Sequence, residues 1–298
     1  MKILITGGSG LVGKYLAKEL RARKHEVRIL SRSKSEKPYE YYWNLEEKII
    51  DEKALENLDS IIHLAGATVS KKWTNAYKKE LYSSRIDAAN LLLDYCKRKE
   101  IHLKSFISAS GINYYGTFTS DKILNENSGI LHHDFLADLS VEWEKSAKQF
   151  QQISDRVVCL RTAVVLAKNG GAFEPLKKLT NLNLASAVGS GNQWMNWIHI
   201  EDLVNMYIYA VENSELKGSY NAVAEEVPTN SDFMKTLAKV SNKFFLPINV
   251  PGFVLKTVFG EMSEILLTGT RASNKKIKSE GFDFKYSELK TAFESLLN

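Results

Sequence analysis

Three glycines at fixed spacing, Gly7, Gly10 and Gly13, stand between an apolar run and an amphipathic one at the start of the chain, and few folds accept that order. The run Lys2-Ile3-Leu4-Ile5-Thr6 has the composition of a buried strand, and residues 13–24 carry apolar side chains at helical period. A strand that turns this quickly into a helix needs Gly7 for the tight turn. It needs Gly10 so that a ligand can approach the backbone, and Gly13 so that helix and strand can touch. The loop formed by Gly7, Ser9, Gly10, Leu11, Val12 and Gly13 therefore predicts a pyrophosphate site, with free N–H groups and the positive end of a helix dipole facing the anion.

The same alternation continues downstream. Residues 26–31, 60–65, 105–110 and 156–160 are short β-branched or apolar runs, and residues 77–99 and 134–151 have helical periodicity. Strands feeding crossover helices in this order predict an α/β fold, a doubly wound parallel Rossmann sheet with a ligand crevice beyond the strand carboxyl ends. Residues 1–166 form the expected dinucleotide-binding domain, rejoined by strands from about 196–224. Residues 167–248 contribute a smaller substrate lobe, and residues 249–296 a short C-terminal domain. Within the lobe, Thr229-Asn230-Ser231-Asp232 predicts a helix start.

Composition narrows the function. With 44% hydrophobic and 25% charged residues over 298 positions, the chain can bury a substantial core. The net charge of +5 comes from 40 basic and 35 acidic residues mixed along the chain, which argues against a nucleic-acid partner. No apolar run approaches the ~20 residues of a membrane span, so no membrane partner is expected. Met1 leads directly into a strand without a signal-like segment, and Cys96 and Cys159 sit in apolar surroundings, as buried thiols of a cytoplasmic protein do. His132, His133 and Asp134 have no further ligands at metal spacing, and no metal is expected.

The second strand ends in Ser31-Arg32-Ser33-Lys34, where an NAD site would place a carboxylate on the ribose 2′-hydroxyl. No acid is present. Arg32 and Ser33 suit a dianionic 2′-phosphate instead, so the expected cofactor is NADP(H).

The GxxGxxG loop, the Leu64-Ala65-Gly66 turn, the serine strand Ser108-Ala109-Ser110 and the ending Tyr114-Tyr115-Gly116 resemble the short-chain dehydrogenase/reductases. With the block Gln193-Trp194-Met195-Asn196-Trp197-Ile198-His199 and Phe259-Gly260-Glu261-Met262, the chain resembles their atypical epimerase-like group, also called cell-division-inhibitor-like. The resemblance implies NADP binding, with Leu64, Ala65, Gly66 and Ser108 along the cofactor. It also implies a cleft between lobes, for which Trp194, Trp197 and His199 are candidate lining residues, packing between the lobes being the alternative.

Such enzymes use a tyrosine and a lysine four positions later as a proton relay. Here Trp143 and Ala147 stand at the expected places, while Tyr95 with Lys99 and Tyr286 with Lys290 have the spacing in the wrong parts of the chain. Ser110 and Tyr115 remain as candidate catalytic hydroxyls. Two readings follow: an oxidoreductase or epimerase acting on a small carbonyl or sugar-derived substrate, or a non-catalytic NADP(H)-dependent sensor or scaffold, for example in cell-division control. Either is compatible with a monomer or a homodimer.

Overall fold

In a computed structural model, which describes residues 1–298, the apolar runs of the N-terminal half become strands and the amphipathic runs helices. β1 (Lys2–Thr6) passes through the glycine loop into α1 (Leu11–Ala22), followed by β2 (Glu26–Ser31), β3 (Glu40–Asn44), β4 (Ile49–Ile50) and β5 (Ser60–His63). α2 (Asn75–Tyr82) and α3 (Ala88–Arg98) are joined by a π-helical turn at Ser83–Asp87, so the single helix predicted over 77–99 is interrupted in its middle. Next come β6 (Ser105–Gly111), β7 (Ser120–Leu124), α4 (Phe135–Lys148), β8 (Val157–Thr162) and β9 (Val164–Leu166). The remainder comprises α5 (Phe173–Asn181), β10 (Trp197–His199), α6 (Ile200–Glu212), β11 (Gly218–Ala222) and α7 (Asn230–Val240). It closes with α8 (Gly252–Phe259), α9 (Glu264–Leu267), β12 (Thr270–Ala272), α10 (Lys275–Ser279) and α11 (Leu289–Leu297).

The main sheet has the order β11-β8-β6-β5-β1-β2-β3-β4, with every pair parallel except β3 with β4. The chain winds outward from β1 through β2 and β3, then returns to β5 and winds outward the other way. The crevice between β1 and β5 is thus the point where strand order reverses, the place where such sheets receive ligands. Side chains alternate between the two faces. Ile3 and Ile5 join the core under α1 and α6, while Leu4 joins the core on the face of α3. A third core, holding Phe173, Trp197, Phe233 and Phe293, supports the smaller lobe.

Helix starts follow local chemistry. Asp134 accepts hydrogen bonds from the N–H groups of Leu136 and Ala137 and opens α4, and Thr229 accepts from Asp232 N–H and opens α7. The π-helical turn has a comparable cause. It carries Arg85, a basic residue that is only 7% exposed, and the extra residue in the turn accompanies guanidinium bonds to the carbonyls of Leu81 and Ala67 at 3.0 and 2.9 Å.

Candidate cofactor and active site

At the switch point the backbone itself makes the site. Gly7 has φ +70°, and a Cβ there would lie 2.8 Å from the Leu64 carbonyl carbon. A Cβ on Gly13 would lie 2.6 Å from the Cα of Gly8, which is why α1 can start so close to β1. Gly10 N–H donates to Gly7 O at 3.0 Å and closes the turn. Gly10 offers α1 no side-chain cap, and the N–H groups of Ser9, Leu11 and Val12 have no acceptor within the protein. Ser9 and Gly10 are exposed, and Leu11 and Val12 pack their side chains against the core. A loop whose glycines a Cβ would fill, with open donors at a helix N-terminus, fits a pyrophosphate.

Beyond β2, Arg32 and Ser33 are exposed; Ser33 N–H donates to Ser31 Oγ at 3.2 Å, while the Arg32 guanidinium makes no hydrogen bond or ion pair. A free guanidinium therefore stands where a reader of the 2′-hydroxyl would carry a carboxylate.

The turn after β5 is braced from below. Leu64 N–H donates to Thr6 O, and Ala65 N–H donates to Thr6 Oγ1 at 3.1 Å. His63 is fully buried, with Nε2 3.0 Å from the Arg85 carbonyl and Nδ1 2.8 Å from Thr6 Oγ1. A carbonyl only accepts, so Nε2 carries the proton and Thr6 donates to Nδ1. Burial lowers the His63 pKa to about 4, keeping the ring neutral. Gly66 lies against the face of the Arg85 guanidinium, which a Cβ would approach to 2.9 Å, and the Trp143 ring lies 4.8 Å from the same group.

The carboxyl end of β6 is different. Ser108 is buried and bonds to the neighbouring Ala109 carbonyl. Ser110 donates to Glu144 Oε1 at 3.0 Å. Glu144 and Arg161, 1% and 3% exposed, form a bidentate pair at 2.7 and 3.0 Å, and Ser219 donates to Glu144 Oε2 at 2.8 Å. Tyr115 is fully buried, accepts from Arg161 Nη1 at 3.0 Å and donates to Asn221 Oδ1 at 2.8 Å. Burial pushes the Tyr115 phenol up to about 12 despite the opposing pull of Arg161. Burial works to lower the Arg161 pKa, but Glu144 overcomes it and holds the group firmly charged. The structure thus brings Ser110 and Tyr115 into one network, and gives both hydroxyls protein partners. Trp143 and Ala147, at the tyrosine and lysine positions, are both buried.

The three candidate cleft residues separate. Trp197 is 0% exposed and donates from Nε1 to Glu226 O at 2.8 Å, so its indole is a core element of the smaller lobe rather than a cleft wall. His199 is also enclosed: Nδ1 accepts from Glu201 N–H, its ring lies 3.8 Å from that of Tyr286, and burial lowers its pKa to about 4. Trp194 alone keeps exposed surface, donating from Nε1 to Asp121 at 2.9 Å with the Arg271 guanidinium 4.5 Å from its ring. Sequence reasoning missed Thr6, Arg85, Glu144, Arg161 and Asn221. Only Arg161 carried a signal, its position inside the apolar run 157–166; Arg85, between Ser84 and Ile86, and Glu144, between Trp143 and Lys145, sit in mixed polar stretches.

The model of the NAD dependent epimerase/dehydratase family matches residues 3–223, and that of a Domain of unknown function (DUF1731) matches residues 250–296. Epimerase family protein SAR0825 of Staphylococcus aureus is 35% identical over 301 residues, spanning 99% of this chain and 98% of its own. The crystal structure of human epimerase family protein SDR39U1 with NADPH superposes with a TM-score of 0.90 at 29% identity, covering 99% of both chains. The nucleoside-diphosphate sugar epimerase of Corynebacterium glutamicum superposes with a TM-score of 0.82 at 27% identity, covering 100% of this chain and 58% of that one. UDP-glucuronic acid 4-epimerase of Bacillus cereus, at 21% identity and a TM-score of 0.75, shares the fold. With the glycine loop at the switch point and a family match across residues 3–223 of its 298, the chain belongs to the NAD dependent epimerase/dehydratase family and has its NAD(P)-binding Rossmann fold.

Proposed function

We propose that this chain is an NADP(H)-binding oxidoreductase or epimerase-like protein, working on a small carbonyl or sugar-derived substrate without a tyrosine–lysine proton relay. The observation that carries the reading is the phosphate loop, where Ser9, Leu11 and Val12 offer N–H groups with no protein acceptor. The preference for the phosphorylated cofactor rests on the free Arg32 guanidinium beside Ser33 and on the NADPH in the human relative. Two buried free thiols, Cys96 and Cys159, suit the reducing cytoplasm.

When bound, the nicotinamide would supply a hydride to or from carbon. The residues of this chain would hold and orient it: the loop on the pyrophosphate, Leu64, Ala65 and Gly66 along the chain path beside it, and the Thr6–His63–Arg85 brace beneath that turn. Ser110 and Tyr115 enter as candidate hydroxyls at the end of β6, but each would have to exchange a buried partner for substrate before moving a proton. That cost favours a second reading, an NADP(H)-dependent sensor or scaffold without turnover.

The test is NADPH oxidation against a panel of small aldehydes, ketones and keto-sugars, with Tyr115→Phe and Ser110→Ala in parallel. Turnover that survives both substitutions keeps the enzyme reading and removes these two hydroxyls from it. Turnover abolished by either, with cofactor affinity intact, assigns that hydroxyl a catalytic part. Tight NADPH binding with no reduction of any substrate favours the sensor.

A further inference from the structure

The smaller lobe exposes apolar side chains that neither the cofactor site nor any core uses. After α5, Leu182 is 69% exposed; after α7, Phe244 and Ile248 are 78% and 79% exposed; in the first turn of α8, Phe253 is 71% exposed. These positions belong to one surface. Ala185 pairs with Phe245 and Val188 with Val250 in parallel bridges, and Leu246 N–H donates to Ala185 O, so the two segments run side by side and α8 follows directly. Ala185 and Ala187 turn inward and are fully buried, which leaves the alternate positions Leu184, Phe244, Leu246 and Ile248 facing out. A contiguous exposed apolar patch of this kind marks a contact surface.

Charge says what it contacts. Residues 175–200 and 233–260, which run through this face, contain six lysines and no aspartate or glutamate; Lys178, Lys235 and Lys256 pair with Glu174, Asp232 and Glu264 just outside these stretches, which leaves Lys177, Lys239 and Lys243 without an ion pair. Like charge opposes pairing with a second copy through the same face. The most exposed side chains project from turns and from a helix start. That geometry suits insertion among lipid chains better than packing into a fitted protein partner. No helix is long and apolar enough to cross a membrane, so the contact is with its surface.

We propose that this face docks on an anionic phospholipid surface, with Leu182, Phe244, Ile248 and Phe253 entering the interface and the flanking lysines meeting the headgroups. The sequence-level expectation of no membrane partner rested on the lack of a spanning segment, which this surface contact does not need.

The experiment floats the full chain with vesicles of phosphatidylcholine alone and of equal parts phosphatidylcholine and phosphatidylglycerol. Partitioning on the anionic vesicles should exceed that on the neutral ones by about tenfold and fall as salt is raised. It should be lost in Phe244→Ser/Ile248→Ser and reduced in Lys243→Glu, with unfolding midpoints unchanged because these side chains lie outside the cores. Anionic-vesicle binding that persists in the double variant overturns the proposal. So does an absence of vesicle binding, whether the chain then sediments as a monomer or as a dimer that the double variant dissociates; the dimer would make the face a protein interface.

Discussion

Two strand ends of one sheet have opposite chemistry. At the end of β1 the polar groups are backbone N–H donors left without partners, in a loop whose glycines keep side chains away. At the ends of β6 and β8 the polar groups are side chains, and the buried Ser110, Tyr115, Glu144, Arg161 and Asn221 satisfy one another, with the partly exposed Ser219 donating to Glu144 from the edge. A site built to receive a ligand leaves its donors open; a site built to hold the fold closes them. The contrast separates cofactor binding, which the first region supports, from proton transfer, which the second makes costly.

The sharpest way to break this contrast is to open the second region. Glu144→Ala would leave the Arg161 charge buried without its partner, and we expect a loss of roughly 3–5 kcal/mol in unfolding free energy, measured by urea denaturation. A loss below about 1 kcal/mol would mean that water reaches the pair, and that Ser110 and Tyr115 are freer than described.

The brace beneath the Leu64-Ala65-Gly66 turn can be read through pH. The folded His63 pKa lies near 4 against an ordinary 6.5, so on acidification the unfolded chain takes the proton first. Its contribution is complete above the ordinary value and is lost as pH falls from there toward the folded value. The window is worth on the order of 3 kcal/mol, and buried His199 adds in the same sense. Denaturation midpoints should fall across that interval, and fall less steeply in His63→Asn. An equal slope in the variant would remove His63 from the account.

A smaller change sharpens the first region. Gly13→Ala places a Cβ 2.6 Å from the Cα of Gly8, forcing loop and helix apart. Affinity for NADPH, followed by its fluorescence, should drop by about a hundredfold, near 2.7 kcal/mol, while the α/β circular-dichroism signature remains. Unchanged affinity would mean that the pyrophosphate does not rest on this loop.

These regions were not equally legible in the sequence. The phosphate loop was, because its function is carried by the backbone and its glycines fall at fixed spacing within seven residues of the chain. The doubly wound sheet was legible for the same local reason, in runs of strand and helix period. The closed network was not, since Glu144, Arg161, Tyr115 and Asn221 come from four elements and meet only in three dimensions. Arg161 signals burial by sitting in an apolar run, whereas Glu144 stands beside Lys145 in a polar stretch of its helix, and spacing names no partner for either. Trp197 shows the reverse limit: a rare residue in a family-specific block left cleft lining and packing between the lobes as alternatives that spacing could not separate, and its indole fills a core.

The proposal to be tested is that the open region binds NADP(H) and that Arg32 reads its 2′-phosphate. Calorimetric titration of the wild type and Arg32→Ala with NADPH and NADH tests it most directly. The account predicts tighter binding of NADPH than of NADH by the wild type, a roughly tenfold loss for NADPH in the variant, about 1.4 kcal/mol, and little change for NADH. Equal affinity of the wild type for both cofactors, or binding of neither, would contradict it.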